Sequence, residues 1–434
     1  MNCGNFYAER DRRTIPYGVP APWLLTPVGF AVDDAAARTR PGQVLTLALV
    51  NMLVRLHRRV VIAVPDAPLL ARPLVPAGGL HEAIQRTARA IDPCGTLDFV
   101  AARDLPEASV GVGAGTHVPG AAYLGADGLS AVLDRVPEGV EPSGRTVLGA
   151  ALAACLGSAT LLALATGATM RPVTTSLAEI GTGDGADGAS SRLLRPIDVG
   201  DVLCVGAGAV TSALFYWLRE IGVIGRWLVV DGDMAELHNT NRCLGMLAAD
   251  TGWPGGAAQP KARIAARLIG AEAEVAWYDE WLGTTAWRPR LVLPLANERG
   301  VRRAIAARGE PRLIHATTSP DWTAELHRHV SGVDDCIVCR IPDREGPAAF
   351  ACSTAPLRTD AGTSADAALP FLSGAAGLLL AYALSHADGG WTRESRNHWR
   401  LFLGPPGATP GRWKANRWAP REGCLHVPSP GPGA

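Results

Sequence analysis

Lysine is almost missing from this chain: of 41 basic residues only Lys261 and Lys414 are lysines, and the rest of the positive charge is written as arginine. An excess of either sign is missing too, since 41 Lys and Arg balance 41 Asp and Glu for a net charge of +0. With no basic run there is no electrostatic footprint for a nucleic-acid backbone, and no nucleic-acid partner is expected. Aromatic residues make up only 6%, although 12 of them are tryptophan. Long runs of large aliphatic residues are lacking. Two uncharged stretches, 146–170 and 367–387, have the length of a membrane span, but Ala, Gly, Ser and Thr dominate them and no basic cluster flanks them. They read as buried helices of a large α/β core, and no membrane partner is expected. The N-terminus lacks the pattern of a secretory leader, so the nine cysteines are expected to be reduced in a cytoplasm rather than paired as a disulfide scaffold.

What is present centres on residues 201–261. Asp201-Val-Leu-Cys-Val205 is a short apolar strand pattern, followed by Gly206-Ala-Gly208 and then by apolar residues at helical spacing from Leu214 to Ile221. Glycines at 206 and 208 allow a tight turn and bring backbone N–H groups near a phosphate at a helix N-terminus. A second strand, Trp227-Leu-Val-Val230, delivers Asp231 and Asp233, with Asp231 at the distance where a Rossmann acid reaches a ribose hydroxyl. Thr211 stands where a dinucleotide fingerprint has its third glycine. Downstream lie Asn239, Asn241 and Arg242, and Lys261 follows a Gly/Pro-rich turn.

This order of residues resembles the ThiF/MoeB family, the adenylating domain shared with ubiquitin-activating enzymes. The matching positions are Gly206, Gly208, Asp231, Asp233, Asn239, Arg242 and Lys261, and the departures are Thr211 and Cys243, where the family has glycine and glutamine. The resemblance implies that Asp231 holds the ATP ribose while Asn239, Arg242 and Lys261 contact phosphates. Physical chemistry agrees: attack of a carboxylate on the α-phosphate expels pyrophosphate, and cationic side chains neutralise the growing charge. A lysine at this position in a chain that otherwise uses arginine adds weight; the plain alternative for Arg242 and Lys261 is a solvated surface pair. Residues 290–302 resemble the family's later strand with Arg302 in register, but Asn297 replaces a magnesium-binding aspartate, and an amide is a poorer ligand for a hard dication. Either Asn297 ligates through its carbonyl oxygen, or Glu298 or Asp233 takes over, or adenylation is weakened or lost.

Cysteines supply a further line. Cys336-Ile-Val-Cys339 and Cys424-Leu-His426 would make a closed tetrahedral structural Zn²⁺ site at the place where family members clamp zinc; the alternative is unliganded cysteines in a loop and a tail. Cys352 lies where the resemblance puts an acceptor cysteine, which would take the activated carboxyl as a thioester, although the Gly-Val that usually follows is missing; the alternative is a small buried apolar cysteine. Cys243 is a lesser acceptor candidate. Trp391, Trp399, Trp413 and Trp418 read as core anchors ahead of a docking surface.

The pattern 147–162 resembles 371–380, and a helix over 43–56 followed by the strand 59–66 echoes the second half without its glycine turn. The fold expected is therefore α/β: a Rossmann-like adenylation domain, 195–434, with a degenerate, related N-terminal α/β half, 1–180, joined by a Gly/Ser-rich linker, 181–194. Gly111-Val-Gly-Ala-Gly115 reads as a turn, since no acidic strand follows. The family's dimeric habit implies a pseudodimer within one chain or a homodimer, with Arg10, Arg12 or Arg13 as an arginine that crosses to ATP. The expected activity uses ATP and Mg²⁺ to adenylate the C-terminal carboxylate of a ubiquitin-like protein, with a conjugating enzyme as a further partner. Alternatives are carboxyl activation of a peptide or small molecule in natural-product tailoring, an ATP-binding scaffold, and an NAD-dependent oxidoreductase, which leaves Asn239, Arg242 and Lys261 unexplained.

Overall fold

The computed structural model describes residues 2–12, 22–120, 122–181, 195–296, 299–310, 312–319, 321–341, 355–358, 364–367, 369–386, 396–404, 410–422 and 424. Short apolar runs build two large mixed sheets. In the first, Val28–Val32 (β1), Arg59–Ala63 (β2), Thr96–Phe99 (β3), Ser109–Val112 (β4) and Tyr123–Asp127 (β5) run parallel in the order β3-β2-β1-β4-β5. Ser130–Asp134 (β6) then adds antiparallel to β5 and Val173–Ser176 (β8) antiparallel to β6, with the two-residue Pro142–Ser143 (β7) beside β5. The second sheet repeats this connectivity. Val202–Val205 (β10), Trp227–Val230 (β12), Glu272–Glu274 (β13), Leu291–Pro294 (β14) and Arg312–Ser319 (β15) run parallel in the order β13-β12-β10-β14-β15, and Thr323–Val330 (β16), His398–Phe402 (β19) and Arg412–Asn416 (β20) continue antiparallel. Ile197–Asp198 (β9) and Val223–Ile224 (β11) form a separate pair, as do Ala355–Arg358 (β17) and Ser364–Ala367 (β18). The order is doubly wound, and its reversal between β10 and β14 opens a crevice at the carboxyl ends of the parallel strands.

Four helices fill the space shared by the two sheets: Arg40–Leu56 (α2), Leu148–Ala165 (α4), Ala209–Ile221 (α5) and Pro370–Leu384 (α9). Phe30 of β1, Val202 of β10, Leu49, Leu152, Leu214 and Leu379 belong to one continuous core. The opposite face of the second sheet, with Leu203, Val205, Leu228 and Val230, packs on Tyr278, Trp281, Ile305 and Ala306. Strands buried on both faces need no polar alternation, which explains their uninterrupted apolar runs. The helix α4 is long and apolar enough to cross a membrane, yet 83% of it is buried inside the fold. It and α9 are core helices, as their small-residue composition predicts. Where α5 crosses α9, a Cβ at Gly377 would lie 2.5 Å from the Leu214 backbone nitrogen, so the close approach requires glycine.

Two features depart from the expectations. A disulfide joins Cys3, at the start of Cys3–Arg10 (α1), to Cys94, in the turn after Leu80–Ile91 (α3). This corrects the reading of all nine cysteines as thiols; a pair 91 residues apart leaves no local pattern to read. The late tryptophans also divide: Trp399 is buried core, Trp413 donates its indole N–H to Thr175 Oγ1 at 2.8 Å and so ties β20 to β8, and Trp418 is partly exposed. Trp391 and the linker beyond Gly181 lie outside the described residues.

Candidate nucleotide site

The turn from β10 into α5 is built as its glycines require at one position and not at the other. Gly206 has φ +97°, and a Cβ there would sit 2.6 Å from the Ala296 nitrogen. Above Gly208 the space is open, with nothing within 4 Å of where a side chain would begin. Thr211, in place of a third glycine, is buried and donates its hydroxyl to the Gly206 carbonyl at 2.6 Å, fastening the turn to the first turn of α5. At the end of β12, Asp231 is held by two backbone amides: Oδ2 accepts from Ala207 N at 2.6 Å and Oδ1 from Asp233 N at 2.8 Å. Burial raises its pKa, opposed by those two amides and by Lys261. The carboxylate is thereby fixed at the lip of the glycine turn, with lone pairs left for a ligand's hydroxyls.

The cations expected at phosphates gather on the segment that follows. Lys261 opens the short helix Lys261–Ala266 (α6); its Nζ lies 2.6 Å from Asp233 Oδ2, its own side chain 15% exposed and that of Asp233 48%, so the lysine is sheltered while the carboxylate still meets solvent. Arg242 is 3% exposed, and its Nη1 donates to the His238 carbonyl and to Asn241 Oδ1, both at 2.9 Å. Asn239 closes the 3-10 turn Leu237–Asn239 by accepting the Glu236 amide at Oδ1, 2.9 Å away.

One residue that organises this segment escaped the sequence reading. Arg55, on α2 of the first half, is fully buried and bonds to backbone carbonyls and an amide. Its Nη1 donates to the Thr240 carbonyl and its Nη2 to the Leu244 and Met246 carbonyls at 2.9 Å each, while Nε donates to Asn51 Oδ1 at 2.7 Å. Burial pulls its pKa down to about 9. Asn51 adds a bond to the Leu244 carbonyl at 3.1 Å. Arg10, one of the arginines expected to cross to ATP, is instead buried on Asp92 and Asp11 at 2.7 and 2.6 Å, because it sits on the inner face of α1. Arg12 does cross to the second half, where it meets Glu236 at 2.6 Å. Arg13 lies outside the described residues.

Of the remaining candidates, Asn297, Glu298, Cys352 and His426 lie outside the described residues. Arg302 lies on Arg299–Arg308 (α7), and burial lowers its pKa. Cys336 caps the helix Ile337–Arg340 (α8), and the sulfurs of Cys336, Cys339 and Cys424 lie within 4.8 Å of one another. Burial pushes the Cys336 thiol up to about 12, a cost that a cation binding thiolates would relieve. Three of the four proposed zinc ligands are thus brought together. Cys243 is buried with Ala235, Met246 and Ile264, which is packing rather than acceptor chemistry.

Two other polar sites are present. Glu325, His327 and His398 are close enough for a metal, their ligand atoms within 4.8 Å. Yet Arg340 Nη1 faces His327 Nδ1 at 3.4 Å and the Trp418 indole N–H points at His398 Nδ1 at 3.2 Å. Both partners only donate, so each ring keeps its proton on Nε2, toward Glu325, and neither Nε2 lone pair is available to a cation. In the first half the crevice equivalent to the nucleotide site is a cavity of about 430 Å³ lined in part by Asp33, Arg103, Thr116 and His117. Asp33 follows β1 where Gly206 follows β10, and its carboxylate accepts the Ala36 and Gly115 amides at 2.6 and 2.9 Å. An acid thus stands where the second half has Gly206. Gly113, φ +91°, bends the 111–115 segment over it.

No family model matches this chain, and no curated protein matches it in sequence. A crystal structure of E. coli MccB with MccA-N7isoASN aligns over 70% of this chain and 97% of that chain, at 10% identity and a TM-score of 0.39. At that distance the alignment transfers neither a family nor an activity, and the function is argued from the site.

Proposed function

We propose that this chain binds ATP in the β10–β14 crevice and adenylates a carboxylate, that of a ubiquitin-like protein or a peptide C-terminus. The observation that carries the reading is the placement of Asp231, clamped by the Ala207 and Asp233 amides at the glycine turn, with Lys261, Asn239 and Arg242 following it. In this reading Asp231 accepts the ribose hydroxyls, the Gly206–Gly208 amides and the start of α5 receive phosphate, and Lys261 leaves Asp233 to meet phosphate oxygens. A substrate carboxylate oxygen attacks the α-phosphorus, the bond to the bridging oxygen breaks, and pyrophosphate leaves as Arg242 and Lys261 offset its charge. Mg²⁺ would be held by the Asp233 carboxylate, which is nearly half exposed, with Asn297 or Glu298, and would supply further charge neutralisation. Cys336, Cys339 and Cys424, with His426, would hold structural Zn²⁺.

In the ubiquitin-like branch Cys352 takes the acyl group as a thioester; in peptide tailoring the adenylate passes directly to an amine or sulfur. The N-terminal half serves as the degenerate partner of a pseudodimer, supplying Arg55 and Asn51 where a second subunit would stand, and a cytoplasmic setting suits the thiol chemistry. The test is ATP–pyrophosphate exchange with Mg²⁺ and a panel of small proteins and Gly-ending peptides. Exchange that depends on the carboxylate and drops by about 100-fold or more in Lys261→Ala is expected for loss of a charge-stabilising donor. Absence of exchange in a protein that binds ATP would leave the scaffold reading in its place.

A further inference from the structure

The N-terminal helix α1 is fastened to the first half and reaches into the second. On one side, Cys3 is bonded to Cys94, the Tyr7 hydroxyl donates to Asp92 Oδ2 at 3.2 Å, and Arg10 donates to the same oxygen at 2.7 Å and to the Val54 carbonyl at 3.3 Å. On the other, buried Phe6 packs with Leu237 and Ala248 and lies edge-on to Trp253, with ring centroids 5.3 Å apart. Just past the helix, Arg12 Nη2 donates to Glu236 Oε2 and to His238 Nδ1, both at 2.6 Å. Both residues lie just before Asn239 in the chain and touch it: its Oδ1 accepts the Glu236 amide at 2.9 Å, and its Nδ2 lies 3.2 Å from His238 Nε2. Arg242 donates to the His238 carbonyl. A line of direct contacts therefore runs from the disulfide through α1 and Arg12 to the groups that orient Asn239.

We propose that α1 is a redox-fastened brace: the Cys3–Cys94 bond seats the helix so that Arg12, a positioning residue acting through Glu236 and His238, holds Asn239 in its working orientation. The effect on nucleotide affinity rests on the reading of Asn239 as a phosphate contact; the bracing does not. A dithiol releases the brace. Its two thiols give two electrons and two protons to the Cys3–Cys94 bond, the S–S bond breaks, both cysteines become thiols, and the dithiol closes to its own disulfide. Arg10, Tyr7 and Phe6 keep the helix attached, so release loosens residues 236–242 without unfolding the protein.

The experiment compares the full-length oxidised protein, the same protein after dithiothreitol, and the variants Cys3→Ser and Arg12→Ala, with Cys94→Ser in reserve should Cys3→Ser fail to fold. Backbone amide exchange over 236–242 and the dissociation constant for ATP are read on each. Faster exchange in the reduced protein and in both variants is expected, with ATP affinity lower by about fivefold or more, the scale of ordinary coupling between sites. Dithiothreitol should add nothing to Cys3→Ser. Unchanged exchange over 236–242 in Arg12→Ala and in the reduced protein overturns the brace. Faster exchange with no ATP binding in any form upholds the brace and removes the nucleotide reading of Asn239.

Discussion

Thr211 and Arg55 show how the site depends on individual side chains. Thr211 departs from the glycine its turn is expected to carry, yet its hydroxyl gives the Gly206 carbonyl a partner that glycine could not. Arg55 carries a charge into the interior, where it donates to three carbonyls of the 240–246 segment. Arg55→Met removes the charge but takes the donor from the Thr240 and Met246 carbonyls, leaving the Leu244 carbonyl with Asn51 alone, and about 1–3 kcal/mol is expected for each buried group so orphaned. A urea titration should show the loss as a lower midpoint, accompanied by weaker ATP binding. The residues of the glycine turn and Asp231 were legible because strand, turn, helix and strand follow one another within a few dozen positions. Arg55 was not, since its partners lie about 190 residues away and an arginine in an apolar helix reads as a surface residue until its neighbours are known.

At the level of elements, small residues decide which helices can meet. The helices α4 and α9 were readable as buried from their Ala, Gly and Ser content, and the structure shows why that composition is needed. With the Leu214 backbone 2.5 Å from a Cβ at position 377, Gly377→Ala forces α5 and α9 apart, and α5 carries the glycine turn at its N-terminus. An overpacking cost of about 1–3 kcal/mol follows. The thermal midpoint should fall, and the exchange protection of α5 should fall with it. By contrast, the polar face of β15, β16 and β19 gave no signal. Its histidines meet only through strand register, His315 opposite His327 across one hairpin and His327 opposite the distant His398. Their rings stack at 4.4 and 4.6 Å.

Those histidines act on the stability of the molecule as a whole. Burial lowers the pKa of His315 and His327 well below the ordinary value, and that of buried His57 to about 4. Above pH 6.5 these groups are neutral folded and unfolded, and titrate nothing. As pH falls below that point the unfolded chain gains protons that the folded chain refuses, so stability declines with falling pH until the folded values are reached. Three such groups together give a slope of up to about 4 kcal/mol per pH unit. Denaturant midpoints measured from pH 7.5 to 5 should therefore drop steeply below about 6.5, and His327→Gln should flatten the curve. The repeated sheet order was foreshadowed by the echo between the halves, but the disulfide and the clamping of Asp33 by the Gly115 amide were not, because each depends on distant chain segments meeting.

The single core that runs from Phe30 through Leu152 and Leu379 to Leu214 also limits how this protein can be cut. A gene fragment encoding only residues 195–434 would expose one side of α5 and α9 to water, and it should collect in inclusion bodies. Expressed as two separate chains divided within 182–194, the halves should find each other and co-purify, behaving as split-protein complementation partners. Any minimal version sought by truncation will need both.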